Sequence, residues 1–79
     1  GEALLRRGTT MKLSARNQLK GVIEKIEKGA VTSYVAIRIG DNLITASISN
    51  AAVDDLALVP GQEAYAVIKA SSVMIGVEH

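Results

Sequence analysis

The chain has 79 residues, of which 48% are apolar and none is cysteine, phenylalanine or tryptophan, with nine basic residues against eight acidic ones. The lack of cysteine excludes disulfides and thiolate metal sites, and the near-neutral charge does not provide the single-sign field of a nucleic-acid surface. A chain this short has a marginal hydrophobic core, so we expect part of its Val-, Ile- and Ala-rich surface to be buried against other copies of the chain.

Residues 1–10 do not continue the pattern of the rest of the chain. Residues 2–7 predict one or two helical turns, which Gly8 then breaks. Two interpretations are open: a disordered tail, or the end of a preceding helix followed by a short linker. We favour the second, which makes residues 11–79 a separate domain.

The first half of this domain has the pattern of strands. Short extended segments are predicted at residues 12–15 and 19–28, and the clearest strand at residues 31–39. The residues predicted to share one face of that strand are Val31, Ser33, Val35, Ile37 and Ile39. The Gly-Asp-Asn sequence that follows predicts a tight hairpin, because these residue types tolerate positive φ, and residues 43–48 form the returning strand.

The second half begins with a break in the strand pattern at Ser49 and Asn50. The alanine-rich residues 51–57 predict a short helix with one of these two residues as its N-cap. A Pro-Gly turn follows, and strands at residues 64–69 and 72–77 complete the domain. This order of elements predicts an all-β fold, a small barrel of about five strands with one short helix, of the oligonucleotide/oligosaccharide-binding (OB) kind.

The residues needed for catalysis or metal binding are missing from the pattern. The one histidine, His79, ends the chain, and Asp54 and Asp55 are neighbours without metal-ligand spacing. No serine has a base to activate it, so we expect no enzyme activity and no metal ligated by side chains. Tyr34 and Tyr65 lie on different predicted strands, which argues against an aromatic platform for single-stranded nucleic acid.

Hydrogen-bond donors are concentrated in residues 14–21, which read Ser-Ala-Arg-Asn-Gln-Leu-Lys-Gly and contain no acidic residue. The full donor-rich set consists of Ser14, Arg16, Asn17, Lys20, Ser49, Asn50, Lys69, Ser71 and Ser72. Hydroxyls, cations and the N–H groups of a helix N-terminus together suit an anion. Each residue also has an ordinary explanation as a cap or a solvated charge, so composition alone leaves anion binding and plain scaffold as alternatives.

Residues 14–21 resemble the opening motif of the molbindins, the small molybdate-binding Mop domains of the wider TOBE family. The similarity continues through residues 44–49 (Ile-Thr-Ala-Ser-Ile-Ser) and residues 64–77, and it covers residues 11–77 nearly end to end. Residues 1–10 lie outside it. The motifs stand in the family's order, with gaps of similar length.

This resemblance implies a barrel whose protomers exchange a strand to form dimers, and in free-standing relatives a trimer of dimers, with oxyanions at the subunit interfaces. The implied site takes Ser14, Ala15 and Arg16 from one protomer and Ser49, Lys69, Ala70 and Ser71 from its neighbour. Further candidates are Asn17, Lys20 and Asn50. Some relatives have a hydroxyl residue where this chain has Ala52, so one donor is missing or replaced.

The chemistry of the donor set agrees with the implied ligand. Molybdate is a tetrahedral dianion whose oxygens only accept hydrogen bonds, whereas monohydrogen phosphate brings an O–H group that a site made of donors cannot satisfy. Sulfate passes the same test, so only the size of the cavity could reject it. Tungstate is almost the size of molybdate and is expected to bind as well, with no organic cofactor.

The role of such a domain depends on what it is attached to. Standing alone it would store molybdate, and attached to a regulator it would sense it. Residues 2–7 resemble the tail of a helix-turn-helix module, through which alone we expect contact with nucleic acid. An accessory domain of a transporter ATPase and a purely structural oligomerisation domain are the alternatives. No signal peptide or apolar run of ~18 residues is present, so we expect no membrane contact and a cytoplasmic location.

Overall fold

The computed structural model describes residues 16–78, which are mostly strands. The regular elements of this part are β1 (Asn17–Lys28), β2 (Thr32–Ile39), β3 (Asn42–Ser49), α1 (Asn50–Asp55), β4 (Glu63–Ile68) and a 3-10 turn (Ala70–Ser72). The strand predicted at residues 12–15 lies outside the described residues, as do Ser14, Ala15 and His79. The four described strands and the short helix agree with the all-β prediction.

The strands form one antiparallel sheet in the order β3, β2, β1, β4, with β1 as the shared central strand. The first half of β1 pairs with β4, from Asn17 opposite Ile68 onwards, and its second half pairs with β2. Between Ile23 and Lys25 the register with β2 shifts by one residue, which makes Glu24 a β-bulge. A bulge bends its strand and increases its twist, so the sheet curves as a barrel wall does.

The concave face of the curved sheet carries the core. Its buried apolar residues are Ile23, Val35, Ile37, Val53 and Ala66. Val53 comes from α1, which therefore closes one side of the barrel. The predicted face of β2 is confirmed for residues 33–39, whereas Val31 lies before the strand and is 72% exposed. A cavity of about 910 Å³ remains between the inner faces of β3 and β4.

Gly21 marks the place where β1 passes closest to β2. A Cβ atom added here would lie 2.4 Å from the backbone oxygen of Arg38 and 2.7 Å from the Cγ1 atom of Ile39. Both distances are too short for any side chain. Only glycine therefore fits at the point where β1 passes from pairing with β4 to pairing with β2.

The two tight turns follow the predicted chemistry. Ile39 and Asn42 are the last pair of the β2–β3 hairpin, whose two-residue turn has Gly40 at φ 62°. In the turn before β4, the N–H group of Gln62 donates to the oxygen of Val59 (3.3 Å), and Gly61 has φ 90°. A Pro-Gly sequence with positive φ at the glycine is typical of a type II turn.

The C-terminal end of α1 is closed by a Schellman motif. The N–H group of Leu58 donates to the oxygen of Val53 and that of Ala57 donates to the oxygen of Asp54, both at 3.1 Å. The motif requires a left-handed residue after the C-cap, and Ala57 takes it with φ 52°. An alanine in this conformation is strained by roughly 1–2 kcal/mol, a cost that glycine does not have.

We expect Ala57→Gly to raise the free energy of unfolding by about 1 kcal/mol, because relief of the strain outweighs the added flexibility of the unfolded chain. Ala51→Gly is the matched control, since the same substitution inside α1 should lower stability by roughly 0.5–1 kcal/mol. Denaturant unfolding of both variants measures the two signs. A loss of stability in Ala57→Gly would contradict the assignment of the strain.

The strand predicted at residues 72–77 is wrong for the isolated chain. Residues 70–72 form the 3-10 turn, and residues 73–78 have no regular structure. Their apolar side chains face solvent, with Met74 90% exposed, Ile75 87% and Val77 71%. The sequence pattern was that of a half-buried strand, but a strand needs a partner edge, and this segment has none within residues 16–78.

Candidate oxyanion-binding site

Two basic residues meet where β1 begins and β4 ends. Asn17 and Ile68 form the last pair of the ladder, and the Nδ2 atom of Asn17 donates to the oxygen of Ile68 at 3.1 Å. Arg16 precedes Asn17 and Lys69 follows Ile68, so the two basic residues lie side by side just beyond the last pair of the ladder. Both are exposed.

The other basic residues of the described part each have an acidic partner. The ion pairs are Lys20 with Glu63 (3.5 Å), Lys25 with Glu27 (3.0 Å), Lys28 with Asp54 (2.9 Å) and Arg38 with Glu24 (2.5 Å). Arg16 and Lys69 are therefore the two cations that form no ion pair within residues 16–78. Because neither cation is paired there, an anion would bind between them without first breaking an ion pair. It would also reduce the repulsion between the two adjacent positive charges.

The ion pair of Arg38 and Glu24, at the bulge, changes the pKa values of both side chains. Arg38 donates a hydrogen bond to the Glu24 carboxylate, which lowers the pKa of Glu24 below its ordinary value, and the same bond raises the pKa of Arg38. Both side chains remain charged at neutral pH. This guanidinium is occupied and is not available to a ligand.

Further donors stand next to Lys69. The 3-10 turn begins with Ala70, and its hydrogen bonds run from Ser72 to the oxygen of Lys69 (2.9 Å) and from Val73 to that of Ala70 (3.2 Å). The N–H groups of Ala70 and Ser71 precede these bonds and are not used by the turn. The Ser71 side chain is exposed beside them. Two cations, a hydroxyl and backbone N–H groups thus lie at or just beyond one end of the β1–β4 ladder.

Ser49 lies at the other end of the sheet. It pairs with Thr32, beyond the end of β1 at Lys28. The twelve residues of β1 extend about 36 Å along the strand at the usual rise, so Ser49 does not approach Arg16 of its own chain. The resemblance implied that Lys69 accompanies Ser49 and that Arg16 comes from the other protomer. Within one chain, Arg16 and Lys69 lie at the same end of the β1–β4 ladder and Ser49 lies at the other end of the sheet, and the division of the site between protomers stays a prediction.

The remaining candidates take part in the fold itself. Lys20 forms its ion pair with Glu63, and the amide of Asn17 closes the β1–β4 ladder. Asn50 donates from its Nδ2 atom to the oxygen of Gly29 at 3.0 Å and accepts a hydrogen bond from Ser33. These four contacts stabilise the scaffold.

Ser49 is the N-cap of α1, one of the two predicted alternatives. Its Oγ atom accepts a hydrogen bond from the N–H group of Ala52 at 3.0 Å, so its hydroxyl proton is left to donate. The helix has only six residues, and its cap satisfies one of its first N–H groups.

Three findings bear on the other classes of function. Tyr34 and Tyr65 are 54% and 47% exposed, but they lie on β2 and β4, with β1 between them. Among residues 16–78, no group of three or more His, Asp or Glu side chains is arranged to hold a metal ion. No helix in that range is long and apolar enough to cross a membrane.

The curved antiparallel sheet with one short helix defines an OB-like domain, with a cluster of hydrogen-bond donors at one end. Residues 13–75 match the TOBE domain, and the chain belongs to this family. The resemblance to the molbindin (Mop) domains is confirmed by similarity to molybdenum-pterin-binding proteins and to solved structures of Mop and molybdate-binding proteins.

A probable molybdenum-pterin-binding protein from Haemophilus influenzae is 56% identical over 69 residues, which cover 86% of this chain and 100% of that protein. The molybdenum transport protein ModE from Herbaspirillum seropedicae is 48% identical over 67 residues, or 84% of this chain and 25% of ModE. The solved structure of a molybdate-binding protein from Sporomusa ovata superimposes with a TM-score of 0.81 at 33% identity, covering 85% of this chain and 100% of that one.

Proposed function

We propose that this chain binds molybdate and tungstate as free oxyanions, in sites formed between copies of the domain of residues 11–79, and performs no chemistry on them. The observation that carries the proposal is the adjacency of Arg16 and Lys69, two cations without an ion-pair partner in residues 16–78, beside the donors of Ala70 and Ser71. Charge-assisted hydrogen bonds from such groups are worth about 1.5–3 kcal/mol each.

The donors also favour one class of anion. Arg16, Lys69 and the N–H groups of Ala70 and Ser71 can only donate hydrogen bonds. A fully deprotonated tetrahedral dianion accepts all of them, whereas monohydrogen phosphate would direct one O–H group at a donor. That mismatch supports molybdate and tungstate over phosphate, and the size of the closed site would exclude sulfate.

The site requires a second copy to supply its remaining donor. Ser49 is too far from Arg16 within one chain, and a hydroxyl at Ser49 of a neighbouring protomer would complete the shell together with Ser14 and Ala15. Asn17, Lys20 and Asn50 would hold the scaffold around it rather than touch the anion. Ala52 offers no hydroxyl, so one oxygen of the anion would meet a backbone group or water instead.

Two features support assembly into a strand-exchanged dimer, and further into a trimer of dimers. The cavity of about 910 Å³ leaves the inner faces of β3 and β4 open. The apolar residues 73–77 have no strand partner within residues 16–78. An exposed apolar segment and an open apolar groove are both costly in water, and exchange between copies would bury the two together.

The biological role follows from the context of the domain. A chain that stands alone would store molybdate in the cytoplasm, and the match over the full length of the H. influenzae relative supports a domain that stands alone. A chain attached to a DNA-binding module would sense molybdate, which the match to a quarter of ModE supports. A transporter accessory domain and a purely structural oligomerisation domain are the rival proposals.

Thermal unfolding with different oxyanions tests the proposal. The unfolding temperature should rise with molybdate and with tungstate, and remain unchanged with sulfate or phosphate at equal ionic strength. A ligand at a hundred times its dissociation constant adds about 2.7 kcal/mol per site. Equal shifts with all four salts, or no shift with any of them, would leave the structural oligomerisation domain as the better account.

A further inference from the structure

A hydrogen-bond network that includes the buried Ser33 fastens the β1–β2 turn to the start of α1. Ser33 is fully buried, and its hydroxyl donates to the Oδ1 atom of Asn50. The Nδ2 atom of Asn50 donates to the oxygen of Gly29 at 3.0 Å, and its backbone N–H group donates to the oxygen of Val31 at 2.8 Å. We name the Ser33–Asn50 pair, with its bonds to the turn, the amide clamp.

The clamp fixes the backbone on both sides of Ser49. Asn50 follows Ser49 directly, and Thr32, which precedes Ser33, is the strand partner of Ser49. The Oγ atom of Ser49 also accepts a hydrogen bond from the N–H group of Ala52 at 3.0 Å. The clamp holds the backbone at Ser49, and the Oγ atom already accepts one hydrogen bond. Together these contacts restrict the direction in which the O–H bond points.

Packing alone does not explain a serine at position 33. The neighbouring positions on the same face of β2 are Val35 and Ile37, and all three side chains are buried. A hydroxyl in such a place destabilises the fold unless it is hydrogen-bonded, and an apolar residue would fill the site without needing a partner. Asn50 is that partner, and it adjoins the residue proposed to bind the anion.

We propose that Ser33 and Asn50 are positioning residues for oxyanion binding, which act by holding the Ser49 hydroxyl in the direction of the anion. This inference rests on the proposed function, and in particular on Ser49 as a ligand. It implies that Ser33 affects the affinity for molybdate only through the hydroxyl of Ser49. A residue that only stabilises the fold would not be coupled to Ser49 in this way.

A double-mutant cycle on molybdate affinity measures that coupling. Isothermal titration gives the dissociation constants of the wild-type chain, Ser33→Ala, Ser49→Ala and the double variant, well below their unfolding temperatures. We expect each single variant to bind about tenfold more weakly, a change of about 1.4 kcal/mol, and the double variant to bind no more weakly than Ser49→Ala. Additive losses, or unchanged affinity in Ser33→Ala, overturn the inference.

A stability-matched control separates positioning from general destabilisation. Ile37→Val truncates a buried side chain on the same strand without touching the clamp. It should lower the unfolding temperature of the ligand-free protein and leave the molybdate affinity unchanged. If Ile37→Val weakens binding as much as Ser33→Ala does, the effect of Ser33 is one of stability and the inference is wrong.

A second variant serves if Ser33→Ala does not fold. Ser33→Cys keeps the shape and a weak donor, and we expect an intermediate loss of affinity that again disappears in the Ser49→Ala background. Unchanged affinity in Ser33→Cys overturns the inference. Failure of the wild-type chain to bind molybdate would overturn the proposed function itself, whereas wild-type binding with no effect of Ser49→Ala would overturn the inference alone.

Discussion

Replacing Arg16 by alanine is expected to weaken molybdate binding by about 10- to 150-fold, since one charge-assisted hydrogen bond of about 1.5–3 kcal/mol is lost. Lys69→Ala should have an effect of the same order, because the two side chains lie side by side at the end of the β1–β4 ladder. Both residues are exposed and form no ion pair within residues 16–78, so the ligand-free stability of each variant should stay close to that of the wild type. Titration calorimetry and thermal unfolding measure the two quantities.

Lys25→Ala is the matched control for these two variants. Lys25 is also an exposed basic residue of β1, but it lies beyond the bulge and is paired with Glu27. Its removal changes the net charge by the same amount and should leave the affinity within about twofold, because screened surface charges act weakly at a distance. Equal losses in Arg16→Ala and Lys25→Ala would mean that net charge, and not a site, attracts the anion.

Gly21→Ala is expected to lower the free energy of unfolding by about 3 kcal/mol, at the upper end of the range for overpacked cores. The added Cβ atom would meet the backbone oxygen of Arg38 at 2.4 Å, and a backbone group of a paired strand cannot move aside cheaply. For a domain of this size, the loss corresponds to a fall of about 12–24 °C in unfolding temperature. Differential scanning calorimetry measures it directly.

Val22→Ala, at the neighbouring position of β1, is the control for Gly21→Ala. Val22 points to the outer face of the sheet and is 42% exposed, so its truncation should cost less than half as much. A Gly21→Ala variant as stable as Val22→Ala would show that β1 and β2 separate easily at this point.

The sequence predicted the elements that depend on local chemistry. The alternation of residues 31–39 identified β2 and its buried face, because the side-chain period of a strand is visible in the sequence alone. The hairpin glycine at position 40, the Pro-Gly turn and the capping Ser49 were found for the same reason, since each is specified by one or two residues. The position of Ala57 in the left-handed region was not found, because alanine carries no signal for it.

What the sequence could not predict depends on pairing between distant segments. Residues 72–77 have the pattern of a strand, but the pattern does not say whether the partner edge belongs to the same chain. The adjacency of Arg16 and Lys69 follows from strand register, which no short motif records. The amide clamp was missed in the same way: Ser33 and Asn50 were each noted, but their contact joins residues that are far apart in sequence.

The neighbouring positions of Arg16 and Lys69 also decide how the sheet would respond to a mechanical load. Because β1 enters and β4 leaves at the same end of their ladder, tension on the chain outside the sheet would unzip its pairs one at a time. The first pair to part would be Asn17 and Ile68, directly beneath the two cations. An anion bound to both cations would therefore hold the end of the β1–β4 ladder together. The force needed to unfold the domain would then be higher with the ligand bound than without it.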